Sequence, residues 1–256
     1  MTRVVDKDGF RRMTARYAIY YVPDADSALG AFGRRWFGHG DAGNAGGGIA
    51  GFSRERVSAL TATCRLYGFH ATLKAPFRLR ETTSAAALKA EAEALAGRQA
   101  AVLLPPLRLA AIGRFLALTP RAPPPAVVHL AAACVRAFAP FRAPSSHSAL
   151  ARRRAAGLSA GQAALLARWG YPYVMAQFRF HMTLTDPIGN GAERVAVMRR
   201  LLPLVTPFER PPPLLLDSIC LCRQDQPGQE FVVAERFPLA GRTVFQRTCV
   251  ENPRAG

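Results

Sequence analysis

Residues 67–77 read YGFHATLKAPF, and residues 178–187 read FRFHMTLTDP. Each contains the phrase His-x-Thr-Leu: His70 to Leu73, then His181 to Leu184, 111 residues apart. Their aromatic and β-branched content predicts a strand over 67–79 and another over 178–185. Side chains alternate across a strand. In the first copy Phe69, Ala71 and Leu73 share one face, and His70, Thr72 and Lys74 share the other. In the second, Phe180, Met182 and Leu184 are apolar, while Arg179, His181, Thr183 and Thr185 lie opposite. Each strand is expected to bury one face and to present His, Thr and one permanent cation on the other.

Two imidazoles, two hydroxyls and two cations suit acid/base chemistry on a phosphate ester. Imidazole titrates near neutrality, so one ring can take a proton from water while the other gives one to the departing alkoxide. Each such transfer is typically worth about 10²–10⁴ in rate. Thr72 and Thr183 can donate to the non-bridging oxygens, and Lys74 and Arg179 can offset the charge that builds there. Two histidines without a nearby Asp, Glu or Cys make a poor metal-ligand set, so neither a metal nor any other cofactor is called for. The other histidines do not share the pattern. His39 sits in a glycine-rich loop, His129 is read as a core residue of an apolar helix, and His147 as a surface residue.

Around the motifs, RYAIYYVP (16–23) reads as a strand, and DSALGAFGRRWFG (26–38) as a helix. GHGDAGNAGGGIAG (38–51) reads as a surface loop. It lacks the Lys-Ser/Thr ending of a phosphate-cradling P-loop. Ser53 is placed to cap a helix over 53–64. A helix over 83–98, one or two strands over 107–120 and an apolar helix over 125–138 follow. Two short helices around Gly157, a helix over 191–203 and closing strands over 214–224 and 230–239 complete the pattern. This order is not a clean strand–helix alternation. It predicts an α+β fold, bilobal, with two antiparallel or mixed sheets of approximate internal symmetry facing a central cleft and helices outside. The expected organisation is a flexible extension over 1–15, one bilobal domain over 16–239 and a tail over 240–256.

The net charge is +17. Only Lys7, Lys74 and Lys89 are lysines among the 34 basic residues; a GC-rich genome accounts for much of that bias. One feature survives the discount. Between Glu93 and Asp186 there are eleven arginines and no carboxylate, so a general base in that block is not a carboxylate. The five cysteines are scattered, without a Cys-x-x-Cys pair, which fits a reducing cytoplasm. Cys220 and Cys222 should share one face of a strand. No apolar run is long enough for a membrane span, and the first fifteen residues lack a secretory pattern.

The paired phrases resemble the two-histidine (2H) phosphoesterase superfamily, which includes cyclic phosphodiesterases and RNA 2′,5′-ligase-like proteins. RYAIYYVP, YGFHATLKAPF, FRAP (141–144), RWGYPYV (168–174) and FRFHMTLT together are most similar to a family of that superfamily assigned to phosphonate metabolism. The likeness runs from about Arg16 to about Pro238. It implies a bilobal fold with a cleft, catalysis by His70 and His181, and phosphate contacts from Thr72 and Thr183. Tyr67, Tyr171 and Tyr173 stand in the same phrases as candidates for lining the cleft, with packing as the other reading. The sequence departs from the family in its start, its glycine-rich loop, SSHS (145–148) and its basic tail, none of which touches the motifs. The expected partner is a small cyclic or nucleotide-like phosphate ester, and the implied link to phosphonate breakdown suggests a ribosyl cyclic phosphate. RNA is the alternative partner, as the substrate of an RNA-end-processing enzyme or the ligand of a non-catalytic basic binding module.

Overall fold

The strand before the first motif forms as its aromatic content predicts. In the computed structural model, which describes residues 15–38, 51–145, 147–155, 157–210 and 212–240, Arg16–Tyr21 is β1. Ser27 caps the helix Ala28–Phe37 (α1), its Oγ accepting from the Gly30 N–H at 3.0 Å. Ser53 caps Arg54–Leu60 (α2) in the same way. A 3₁₀ turn over Cys64–Tyr67 then leads to β2, Ala71–Phe77. Ser84 caps Ala85–Arg98 (α3). Val102–Leu104 (β3), Leu107–Ile112 (β4) and Phe115–Pro120 (β5) follow, the last two joined at Gly113 with φ +59°. Pro124 precedes Pro125–Ala137 (α4), whose proline at the first turn costs no hydrogen bond. His147–Arg154 (α5) and Ala160–Trp169 (α6) flank Gly157, the latter opened by a Ser159–Gln162 capping box. Met182–Thr183 is β6, Gly191–Val205 is α7, and Leu214–Leu216, Ser218–Gln224 and Val232–Pro238 are β7, β8 and β9.

The strands form a mixed α+β architecture with one large antiparallel sheet, ordered β4-β5-β6-β2-β1-β8-β9, and a small β3-β7 pair. The sequence reading expected two sheets of approximate internal symmetry facing a central cleft. Instead β2 and β6 are hydrogen-bonded neighbours in one sheet, with Ala71 opposite Met182. The short seam holds because the surrounding second-motif backbone finds partners outside the ladder. The N–H groups of Leu184 and Thr185 donate to the Leu116 carbonyl, the Phe180 carbonyl accepts from Thr119 Oγ1, and the Leu184 carbonyl accepts from Trp36 Nε1. The expected strand over 178–185 is thereby reduced to two residues.

One face of the large sheet is buried under α1, α2, α3, α4 and α7. Ile19, Leu73, Phe77, Leu118 and Met182 pack there against Phe32, Trp36, Leu88, Leu130 and Leu201. Gly33 lets α1 approach closely, since a Cβ at that position would meet the Phe69 ring at 2.1 Å. The other face carries a smaller cluster of Ala18, Tyr20, Cys220, Cys222 and Phe231. Cys220 and Cys222 do share a face. His129 is not a core residue: Val127, Leu130, Ala131 and Cys134 form the inward stripe of α4, which leaves His129 exposed. Residues 39–50 of the glycine-rich loop, 1–14 of the expected extension and 241–256 of the expected tail lie outside the described residues, as does the side chain of His147. Among the described residues no helix is long and apolar enough to cross a membrane.

Candidate active site

The antiparallel register puts the two phrases into mutual register. Ala71 is opposite Met182. One residue to either side, His70 stands opposite Thr183, and Thr72 stands opposite His181. Such facing pairs have Cβ atoms about 4.5–5.5 Å apart, and diagonal positions, here the two histidines, lie about 7–8 Å apart. All four side chains line one cavity of about 350 Å³ on the face away from the main core.

The two imidazoles are oriented by the same local device. His70 Nδ1 donates to the carbonyl of Gly68 at 2.9 Å, and His181 Nδ1 donates to the carbonyl of Arg179 at 2.8 Å. A carbonyl only accepts, so each Nδ1 carries the proton and each Nε2 is left to act in the cavity. His70 Nε2 accepts from Thr72 Oγ1 at 3.0 Å. Gly68 reaches its position with φ +72° and ψ 178°, a region essentially confined to glycine. Tyr20 lies flat against the His70 ring, centroids 3.7 Å apart, and Phe115 packs obliquely against His181 at 5.7 Å.

Burial favours the neutral form of both rings. It pushes His70 down to about 4, helped by the charge of His181 and opposed by the bond to Gly68. Burial also lowers His181, with the Arg179 charge adding to it and the bond to the Arg179 carbonyl opposing it. Both imidazoles are therefore neutral at neutral pH in the free protein, and His70 is the weaker base.

The expected cations are not brought to the cavity. Lys74 is 3% exposed, and its Nζ reaches the Val135 carbonyl on α4 at 3.5 Å, on the core side of the sheet. The cause is a bulge in β2. Tyr20 pairs with Thr72 but Ile19 pairs with Lys74, so Leu73 is an extra residue and the alternation slips by one. Beyond the bulge Ala75 and Pro76 line the cavity where Lys74 was expected. Arg179 contributes its carbonyl, but its side chain is exposed and does not line the cavity. Thr185 is buried, with its Oγ1 accepting from the Leu116 N–H at 3.0 Å.

Tyr67 and Tyr171 line the cavity; Tyr173 packs edge-on against Tyr171 and is 46% exposed. The sequence reading missed Arg16, Tyr20, Phe115 and Arg153, which also line it. Arg16 Nε donates to Gln224 Oε1 at 2.7 Å, and its guanidinium lies 5.4 Å from the Phe231 ring centre. Arg153 donates to the Gly170 carbonyl and stands over Tyr171 at 5.2 Å. Among the described residues no carboxylate lines the cavity. Among the described residues no three His, Cys, Asp or Glu side chains converge as a metal site.

A family model described as a protein of unknown function, DUF1045, matches residues 72–232. The chain belongs to the DUF1045 family. It is 40% identical over 236 residues to the ribose 1,5-bisphosphate phosphokinase PhnN of Janthinobacterium sp. (strain Marseille), covering 89% of this chain and 51% of that protein. It is 37% identical over 174 residues to the protein of the same name from Laribacter hongkongensis (strain HLHK9), covering 68% and 40%. The chain thus spans about half the length, or less, of the curated relatives it matches. Among solved structures it is similar to E. coli LigT complexed with 3′-AMP, at 16% identity and a TM-score of 0.41, over 88% of this chain and 98% of that one. A crystal structure of a phosphoesterase gives 17% identity and a TM-score of 0.43 over the same shares. Both likenesses are too distant to carry a function across.

Proposed function

We propose that the protein is a metal-independent phosphodiesterase of the two-histidine type, each half of the sheet bringing one motif strand to the β2–β6 seam. The observation that carries this reading is the shared geometry of His70 and His181. Each is fixed through Nδ1 by a carbonyl two residues back, each leaves Nε2 to one cavity, and each stands opposite the threonine of the other motif.

The chemistry follows from the two environments. The imidazole with the lower proton affinity is the one that is neutral when the other is charged, which makes His70 the base and His181 the acid. His70 Nε2 takes a proton from water as its oxygen bonds to phosphorus. His181 Nε2–H gives its proton to the alkoxide as the ring P–O bond breaks. The product is a phosphomonoester with a free hydroxyl. His70 leaves the turnover protonated and His181 neutral, and exchange with solvent restores both. Thr72 and Thr183 donate to the non-bridging oxygens.

The substrate in this reading is a small cyclic sugar phosphate. The relatives' names concern a ribose phosphate, which is consistent with a place in phosphonate metabolism. Their phosphokinase activity does not fit the residues here. No lysine in the sequence follows a glycine, so a Gly-x-x-x-x-Gly-Lys-Ser/Thr loop is missing.

The test is turnover of a panel of cyclic phosphodiesters and of RNA with a 2′,3′-cyclic end, in chelator throughout. Hydrolysis of a small cyclic phosphate that falls at least about 10²-fold in His70→Ala and in His181→Ala is expected. Activity that vanishes with chelator and returns with zinc or manganese, or that persists without His181, overturns it.

A further inference from the structure

Two arginines in a cavity that no carboxylate lines among the described residues exceed what one phosphodiester needs. A cyclic phosphodiester carries a single negative charge. The four motif side chains that would hold it are neutral in the free protein, and Arg16 and Arg153 add two permanent positive charges to the same lining. Both are held in place. Arg16 is tied to Gln224 and laid over Phe231, and Arg153 is tied to the Gly170 carbonyl and laid over Tyr171. Guanidinium groups fixed by packing lose little entropy when an oxyanion arrives, and their fork geometry matches phosphate.

Tyr20 supplies an independent observation. Its side chain is 1% exposed and lines the cavity, yet its hydroxyl has no hydrogen-bond partner among the described residues. A buried, unpaired hydroxyl is costly unless something satisfies it. Burial raises its pKa well above the ordinary value, so it stays a donor. Tyr20 and Arg16 both pack on the Phe231 ring, at 5.8 Å and 5.4 Å from its centre, which puts the two groups in one part of the cavity.

We infer that Arg16, Arg153 and the Tyr20 hydroxyl form a second anion subsite, which holds a phosphomonoester on the same small molecule whose cyclic phosphodiester lies between His70 and His181. The inference rests on the reading of the cavity as a phosphodiester site. A phosphomonoester carries about −1.5 to −2 near neutrality and balances the two guanidiniums. The cavity, about 350 Å³, is at the small end of the usual ~300–1,000 Å³ for small-molecule sites. That size suits a phosphorylated cyclic sugar phosphate rather than a strand of RNA.

The experiment compares kcat/KM for a ribofuranosyl cyclic phosphate with and without a phosphomonoester on C5. The wild type should prefer the phosphorylated compound by about 100-fold, the worth of one or two charge-assisted hydrogen bonds. Arg16→Gln and Arg153→Gln should each reduce that ratio by about tenfold or more. Tyr20→Phe keeps the ring on His70 and removes only the unpaired hydroxyl, so it should lower the ratio without lowering the melting temperature. Equal turnover of the two compounds by the wild type, or loss of rate on both to the same degree in all three variants, overturns the subsite while leaving the phosphodiesterase reading intact. If neither compound is turned over, calorimetric titration with ribose 5-phosphate and with ribose decides the subsite alone. Binding of the phosphate that weakens in Arg153→Gln supports it, and equal or absent binding overturns it.

Discussion

The Gly68 carbonyl accepts from His70 Nδ1 at 2.9 Å while Gly68 itself sits at φ +72° and ψ 178°. A backbone conformation that other residues avoid is thus what aims the carbonyl at the imidazole. A Cβ at Gly68 would meet nothing within 4 Å, so the obstacle to replacement is the backbone and not space. Gly68→Ala should cost about 1–3 kcal/mol if the conformation is kept. If the backbone relaxes, the carbonyl turns away and His70 loses the bond that fixes its tautomer. Denaturant melts and kcat together check this: a variant with full stability and full activity would show that the bond does not position His70.

Asp186 links the two motif segments. Its carboxylate accepts from the Thr63 N–H at 2.6 Å and the Cys64 N–H at 2.8 Å, and its own N–H donates to the Leu60 carbonyl at 2.7 Å. A residue two positions past the second motif therefore holds the 3₁₀ turn that leads into the first. Asp186→Ala strands two backbone donors and should lose roughly 2–4 kcal/mol in urea unfolding. Asp186→Asn keeps one acceptor and should lose less.

The pH dependence follows from the two depressed imidazoles. The rate measured as kcat/KM reports the free enzyme. It should rise as pH passes about 4, where His70 loses its proton. It should fall as pH passes the value of His181, which burial holds below the ordinary 6.5. The optimum therefore lies on the acid side of neutrality. Stability has its own signature. Between about 4 and 6.5 the unfolded chain holds more protons at His70 than the folded one, so stability falls as pH drops through that window. Melting temperatures across pH 4–8 should show this slope, and His70→Gln should flatten it.

Period-two alternation made His70, Thr72, His181 and Thr183 legible, because it is a local property of each strand. The same rule failed at Lys74. The bulge that turns it inward is set by pairing with Tyr20 and Ile19, some fifty residues earlier in the chain. Arg153 belonged to the carboxylate-free arginine block, but which of those arginines reaches the cavity depends on how α5 docks. Arg16 and Tyr20 were visible only as parts of a strand, and their place in the site follows from β1 pairing with β2. His129 misled because an apolar helix was read as buried all round, whereas α4 buries one stripe.

Lys74 gives the last prediction. It is buried on the core side, with one long bond to the Val135 carbonyl and its ammonium 5.8 Å from the Phe77 ring. Burial, with Arg142 adding to it, pushes its pKa down to about 8. A buried charge without a counter-ion is usually less favourable than an apolar side chain of similar volume. Lys74→Met should therefore raise the melting temperature near neutrality. The gain should shrink as pH rises past about 8, where the wild-type amine becomes neutral at little cost. Turnover should be unaffected, since the side chain lies across the sheet from the cavity. A lysine that offset charge on the phosphoryl group would behave in the opposite way: its loss would cost about 10²-fold or more in kcat and leave stability alone. Measuring kcat and the melting temperature of this one variant separates the bulged strand from the regular one that the sequence predicts.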